Sequence, residues 1–157
     1  MGFQEWESKI DNRISKDIIA EFKEAVRELD IAKMNSLHQE WNMFFEGADK
    51  ENNFVFAKIE DGVMTLPEAV LKTVNKEARY KWILKDTGSL YLVKKTPEAK
   101  YMEDAVRTSA GKCIDERLMY VKDIIAFDDA MQSIFKWKSE DIAVIHIFMD
   151  GIRIDKF

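Results

Sequence analysis

Residues 142–157 read IAVIHIFMDGIRIDKF, two largely apolar runs separated by an Asp-Gly dipeptide. Asp150-Gly151 is typical of a two-residue turn, so this stretch predicts a β-hairpin with arms at 142–149 and 152–156. Apart from His146, the first arm is apolar at both odd and even positions. Both of its faces should therefore be covered, which predicts a central strand of the sheet.

Two further hairpins are predicted upstream of this one. The first covers 54–64 and turns at Asp61-Gly62, and the second covers 80–95 and turns at 86–88. One more strand is predicted over 118–125. Three helices are predicted to intervene, and each begins at a capping residue: Thr65, Thr96, and either Asp128 or Asp129.

Residues 1–47 instead show helical spacing of their apolar residues. One apolar stripe is formed by Ile10, Ile14, Ile18, Phe22, Ala25 and Leu29. Asp30 offers an N-cap for a second helix, although one helix running through Asp30 is the alternative. The sequence thus predicts an α+β fold in which a helical hairpin over 1–47 precedes a sheet region over 54–157.

Helices placed between strands imply crossover connections, whereas hairpins imply antiparallel neighbours. The sheet should therefore be mixed and mostly antiparallel, with about seven strands and three intervening helices. A chain of 157 residues is long enough for one hydrophobic core, so we expect a single domain over residues 1–157.

The composition argues against several classes of partner. The chain has 29 acidic and 24 basic residues, a formal charge of −5, whereas nucleic-acid binders are usually basic. No apolar run approaches the roughly 20 residues of a membrane-spanning helix. Cys113 is the only cysteine and cannot form an intrachain disulfide, which favours the cytoplasm. We therefore expect neither a nucleic-acid nor a membrane partner.

The sequence offers little catalytic chemistry. It has no glycine-rich phosphate loop, and its only histidines, His38 and His146, belong to different elements. We therefore expect no metal and no cofactor. The acidic pair Asp128 and Asp129 is explained by helix capping. The alternative is an enzyme or small-ligand site built around His146 together with that pair.

The apolar surplus of the N-terminal helices favours protein binding instead. On a helical wheel Trp6 and Ile19 lie about 220° apart, wider than the stripe of about 100° that one packing neighbour needs. We therefore expect a non-enzymatic interaction module of the inhibitor, immunity or adaptor type that binds another protein or a second copy of itself. Its expected interaction surface is Phe3, Trp6, Ile10, Ile19 and Met43. Packing of the second helix and the sheet against this stripe is the alternative.

Replacing Trp6 and Met43 with Ser tests this surface. Association should weaken, while the free energy of unfolding should stay within about 1 kcal/mol of the wild type, as for surface substitutions. Sedimentation and thermal melts measure the two quantities. A wild type that stays monomeric at high concentration, together with unchanged partner binding by the variant, would contradict the expectation.

Overall fold

A computed structural model describes residues 16–41, 53–97, 100–138 and 141–157. In chain order the elements within these ranges are α1 (Lys16–Arg27), α2 (Ile31–Trp41), β1 (Phe54–Glu60), β2 (Val63–Thr65), α3 (Glu68–Leu71), β3 (Arg79–Lys85), β4 (Leu90–Lys94), α4 (Lys100–Thr108), β5 (Cys113–Tyr120), β6 (Ile124–Ala126), α5 (Asp129–Phe135), β7 (Ile142–Phe148) and β8 (Gly151–Lys156). The fold is α+β, with a helical pair followed by a sheet region.

The strands form one sheet of eight, in the order β5-β3-β4-β8-β7-β1-β2-β6. Every described pair of neighbours is antiparallel. This corrects the mixed sheet of about seven strands that the sequence predicts. Helices α3, α4 and α5 each connect strands that are not neighbours; α4, for example, links β4 and β5, which lie on either side of β3.

The sheet is curled because β5 and β6 lie at its opposite edges although only residues 121–123 separate them. The predicted strand over 118–125 is therefore two strands. Its concave side, here called the inner face, carries the main core, which includes Trp82, Leu92, Ile145 and Ile152. Helix α5 and Trp137 add to this core, and the Trp137 ring stacks on Phe135 at a centroid distance of 5.2 Å.

The convex side, here called the outer face, is covered at one end by α1 and α2. Phe22 and Met34 from these helices are fully buried against Phe54 and Phe56 of β1. Asn35 of α2 also mimics a neighbouring strand. Its Nδ2 donates to the Phe56 carbonyl oxygen at 2.9 Å, and its Oδ1 accepts from the Phe56 backbone N–H at 2.6 Å. These paired bonds fix α2 on β1.

The predicted break at Asp30 is confirmed, so one helix running through this residue is excluded. Leu29 adopts a positive φ of 55°, and the Asp30 carboxylate accepts a hydrogen bond from the Lys33 backbone N–H at 3.1 Å. The helix predicted to begin at Thr65 is wrong. Thr65 belongs to β2, where it pairs with Ile124, and α3 is a single turn that begins at Glu68.

The C-terminal hairpin is confirmed, and β7 is a central strand between β1 and β8. All of its residues except Phe148 are buried. The turn lies one residue earlier than predicted, because Phe148 pairs with Gly151 and the turn residues are Met149 and Asp150. Gly151 is needed for close packing, since a Cβ at this position would lie 2.1 Å from the Leu92 carbonyl oxygen.

Gly151→Ala should therefore lower the free energy of unfolding by about 3 kcal/mol, because the backbone of β4 must shift to admit the methyl group. Gly88→Ala is the matched control. Gly88 has a φ of 88° but no atom within 4 Å of an added Cβ, so only the backbone strain of about 1 kcal/mol applies. Urea denaturation measures both changes. An equal or smaller loss for Gly151→Ala would contradict the close approach.

Candidate functional site

Among the described residues, no helix covers a strip of the outer face between the two groups of helices. Helices α1 and α2 pack on β1 and β7, whereas α4 packs on β3 and β4 through Val106, Ile83 and Val93. Strand β8 lies between these two regions in the sheet order. Its outward side chains, Arg153 and Asp155, therefore lie in the strip.

The strand register aligns four of the outward side chains in one row. Tyr91 of β4 is opposite Arg153 of β8, Arg153 is opposite His146 of β7, and His146 is opposite Phe54 of β1. His146 is buried, and its ring centroid lies 5.5 Å from that of Phe54. From β4 to β1 the row therefore contains an aromatic ring, a guanidinium, a buried imidazole and a second aromatic ring.

Asp155 is the centre of the polar contacts in the strip. Its carboxylate accepts hydrogen bonds from the Ser89 hydroxyl and from Arg153 Nε, the latter at 2.8 Å. His146 Nε2 lies 3.6 Å from Asp155 Oδ2. The side chain of Asp155 is 19% exposed and that of Arg153 is 29% exposed. The strip therefore holds a partly buried ion pair beside an imidazole.

This arrangement does not suit nucleophilic catalysis. In a Ser-His-Asp triad the histidine stands between the other two groups and accepts the proton of the serine. Here the carboxylate stands in the middle and Ser89 donates to it directly. The arrangement instead orients Arg153, because its Nε is held by Asp155 and no described residue bonds to its two Nη atoms, whose donors can serve a ligand.

A groove of about 710 Å³ opens beside Arg153. It runs between α4 and the turn from β7 to β8, and its lining is mostly apolar: Tyr91, Tyr101, Met102, Ala105, Val106, Ile147, Phe148 and Met149, with Asn53, Thr73, Ser109, Asp150 and Arg153 as the polar members. Two of these side chains are almost fully exposed, Tyr101 at 87% and Met149 at 91%. They belong to opposite walls, one on α4 and one on the turn.

Helix α4, one wall of this groove, is held to the sheet by ion pairs. Lys81 of β3 donates to Glu103, and Arg107 lies 2.7 Å from Glu116 of β5. The hydrogen bond from Lys81 is the largest cause that lowers the pKa of the Glu103 carboxyl, with Arg107 adding to it and burial opposing it. Hydrogen bonding to Glu103 likewise raises the pKa of Arg107.

The residues expected to form an interaction surface are only partly described. Phe3, Trp6, Ile10 and Met43 lie outside the described residues. Ile19 is partly buried against the cluster that α1 and α2 form with β1 and β7. At this one position the stripe therefore contacts the chain's own core, as the intramolecular alternative expects.

The residues of the alternative ligand site lie on different parts of the sheet. His146 faces outward on β7, whereas Asp128 is the N-cap of α5, where it accepts from the Met131 backbone N–H at 2.9 Å. Asp128 also accepts a hydrogen bond from Arg117, which lies opposite the core residue Trp82 and so points to the inner face. Asp129 follows it in the first turn of α5. The structure does not bring His146 together with the acidic pair.

Sequence reasoning did not single out Arg153, Tyr101 or Met149. Arg153 alternates with Ile152 and Ile154, which is the normal pattern of a strand with one polar face. Tyr101 and Met149 count as ordinary apolar residues until their exposure is known. The one available signal was Met149, an apolar side chain at the end of the predicted strand and directly before the predicted turn at Asp150-Gly151.

Comparisons with known proteins suggest no function, so the functional argument rests on the geometry of the site. No family model matches this chain, and no curated protein and no solved structure matches it. None of the described helices is both long and apolar enough to cross a membrane. In the described ranges, no group of three or more His, Cys, Asp or Glu side chains could hold a metal ion.

The ion pair that holds α4 predicts a pH dependence. Glu103→Gln should lower the free energy of unfolding by about 1 kcal/mol at neutral pH, since both partners are mostly buried. The pKa of Glu103 is lowered by folding, so its contribution is present above the unfolded-state pKa and is lost as the pH falls through the folded-state value. Urea denaturation from neutral to acidic pH should therefore show the two proteins converging.

Glu68→Gln is the matched control, because Glu68 is 83% exposed and its contact with Lys72 is 3.8 Å long. This substitution should change the free energy of unfolding by less than about 0.5 kcal/mol at any of these pH values. A gap between the wild type and Glu103→Gln that stays constant into acid would contradict the assignment.

Proposed function

We propose that the protein is a non-enzymatic binding module that takes a segment of another protein in the groove between α4 and the β7–β8 turn. The observation that carries this proposal is the exposure of Tyr101 and Met149 on opposite walls of the groove. Exposing two large apolar side chains beside an apolar cleft is unfavourable unless a partner covers them. Tyrosine and methionine are also enriched in protein interfaces.

The chemistry of the groove specifies the segment it would take. The apolar lining suits one or two aliphatic or aromatic side chains. Arg153 adds a guanidinium whose Nη donors can bind a carboxylate in a bidentate manner. The predicted partner segment therefore carries Asp or Glu, or a chain-terminal carboxylate, next to large apolar residues.

A protein segment fits this site better than a small metabolite. Small-molecule sites usually bury most of the ligand surface, whereas this groove is open along its rim at Tyr101 and Met149. Its volume nevertheless falls within the range of small-ligand pockets. A small carboxylic acid with an apolar tail is therefore the second candidate, and it takes the place of a site that joins His146 to Asp128 and Asp129.

An inhibitor, immunity factor or adaptor would use such a groove without chemistry of its own. We place this binding in the cytoplasm because Cys113 is the only cysteine. The expected surface of Phe3, Trp6, Ile10, Ile19 and Met43 remains a separate prediction for a second contact.

Selection of phage-displayed random peptides on the full chain tests the groove. Selected peptides should combine large apolar residues with Asp or Glu. The double variant Tyr101→Ser with Met149→Ser should weaken their binding by about tenfold or more, because both walls lose their contacts. Fluorescence anisotropy measures the affinity, and thermal melts should stay near the wild type because both residues are exposed.

Ile124→Ser is the matched control, since Ile124 is a 51% exposed apolar residue on β6. It should leave peptide binding unchanged. Equal binding by the wild type and the groove variant would contradict the proposal. If peptides fail to bind but a fluorescent fatty acid binds the wild type and not the groove variant, the small-ligand candidate replaces it.

A further inference from the structure

Strand β5 is an edge of the sheet with unusual side chains. Its only described partner is β3, so one side of its backbone faces away from the sheet. Three consecutive large apolar residues at its end are exposed: Leu118 at 46%, Met119 at 42% and Tyr120 at 50%. Exposed edges of this kind pair readily with another strand, and proteins normally protect them with charges, proline or covering elements.

We propose that β5 pairs with β5 of a second copy of this chain, antiparallel and with Leu118 on the two-fold axis. The two sheets would then form one continuous sheet across the axis. Each copy would supply its free backbone N–H and C=O groups to the other, as in strand addition. None of the β5 residues in this contact lines the groove between α4 and the β7–β8 turn.

The register follows from which side chains would meet. With Leu118 opposite Leu118, the residues on either side pair as Arg117 with Met119 and Glu116 with Tyr120. Directly opposite residues in antiparallel strands lie on the same face, so Leu118, Glu116 and Tyr120 meet on the outer face. All three exposed apolar residues gain a partner, and no like charges are opposed.

Charge complementarity extends this match to β3. Arg79 lies opposite Tyr120 within each copy, and its guanidinium carbon lies 5.9 Å from the centre of the tyrosine ring. In the proposed register, Glu116 of one copy, which also pairs with Arg107 of its own chain at 2.7 Å, faces Tyr120 and, behind it, Arg79 of the other. Two such arrangements form, one on each side of the axis, and each places an acidic and a basic residue about 10 Å apart across Tyr120. A second copy thus supplies the complementary surface.

The two neighbouring registers centred nearer the start of β5 are less favourable. Centring the contact on Glu116 would oppose two carboxylates, and centring it on Arg117 would oppose two guanidinium groups, each of which is destabilising. The strand is also irregular at Ile114, where the pairing of β5 with β3 shifts by one residue. The regular run from Asp115 to Tyr120 contains the Leu118-centred pairs described above.

Single-cysteine variants in a Cys113→Ser background test the contact and its register. Opposite residues have Cα atoms about 4.5 to 5.5 Å apart, within the range of a disulfide. Leu118→Cys should therefore form a covalent dimer under mild oxidation. Glu116→Cys and Tyr120→Cys should each form no covalent dimer on their own, because like positions lie about 13 Å apart, but a mixture of the two should crosslink.

Ile124→Cys is the matched control on the other edge of the sheet and should not crosslink. Failure of Leu118→Cys to crosslink faster than this control would overturn the proposal. So would crosslinking of Glu116→Cys with itself that exceeds crosslinking of the mixture, since this requires another register.

A non-covalent test uses Leu118→Lys, which places two like charges on the axis. Sedimentation of the full chain should show a dimer for the wild type and for Ile124→Lys, and a dissociation constant raised about tenfold or more for Leu118→Lys. Thermal melts check that Leu118→Lys is folded. A wild type that is monomeric up to millimolar concentration, or a folded Leu118→Lys that dimerises like the wild type, would overturn the proposal. Groove variants at Tyr101 and Met149 should leave the dimer intact.

Discussion

The short connection between β5 and β6 determines the shape of the sheet. These strands lie at its two edges, yet only residues 121–123 separate them. Four Cα steps span at most about 14 Å, whereas the edges of a flat eight-stranded sheet lie about 33 Å apart. A flat sheet is therefore impossible for this chain, and the strands must curl until the edges approach each other. The main core follows from this curl, because the concave face encloses side chains from most of the strands.

The same curl explains why none of the described helices covers the strip of the outer face at β8. A convex face spreads its side chains apart, so α1 and α2 reach β1 and β7 while α4 reaches β3 and β4. Strand β8 lies between them, and its outward residues are accordingly polar. The Asp155 carboxylate bonds to Arg153 and to Ser89. This pairing holds the guanidinium of Arg153 at the wall of the groove. The candidate site is thus a consequence of the sheet order together with the spacing of two helical layers.

Local signals in the sequence predicted most of the elements. The dipeptides Asp61-Gly62 and Asp150-Gly151 and the caps at Asp30 and Asp128 act within a few residues, so they were readable without the fold. The order of the strands was not readable, because it depends on pairings between distant residues. Thr65 shows the conflict directly: the sequence Thr65-Leu66-Pro67-Glu68 has the pattern of a capping box, but pairing with Ile124 draws Thr65 into β2, and the N-cap of α3 is Pro67. Arg153 was missed for a related reason, since only the position of α4 gives it a groove.

The groove and the β5 edge are connected through α4, which affects how variants can be interpreted. Glu103 joins α4 to β3, and Arg107 joins it to Glu116 on β5. A substitution at Glu116 therefore disturbs a wall of the groove as well as the edge, and reduced partner binding would not identify which surface failed. Leu118 lies on the same strand face, but none of the described ion pairs or side-chain hydrogen bonds involves it. Tyr101, which lines the groove from α4, likewise takes part in none of the described ion pairs. Leu118 and Tyr101 are consequently the positions at which the two binding surfaces can be changed one at a time.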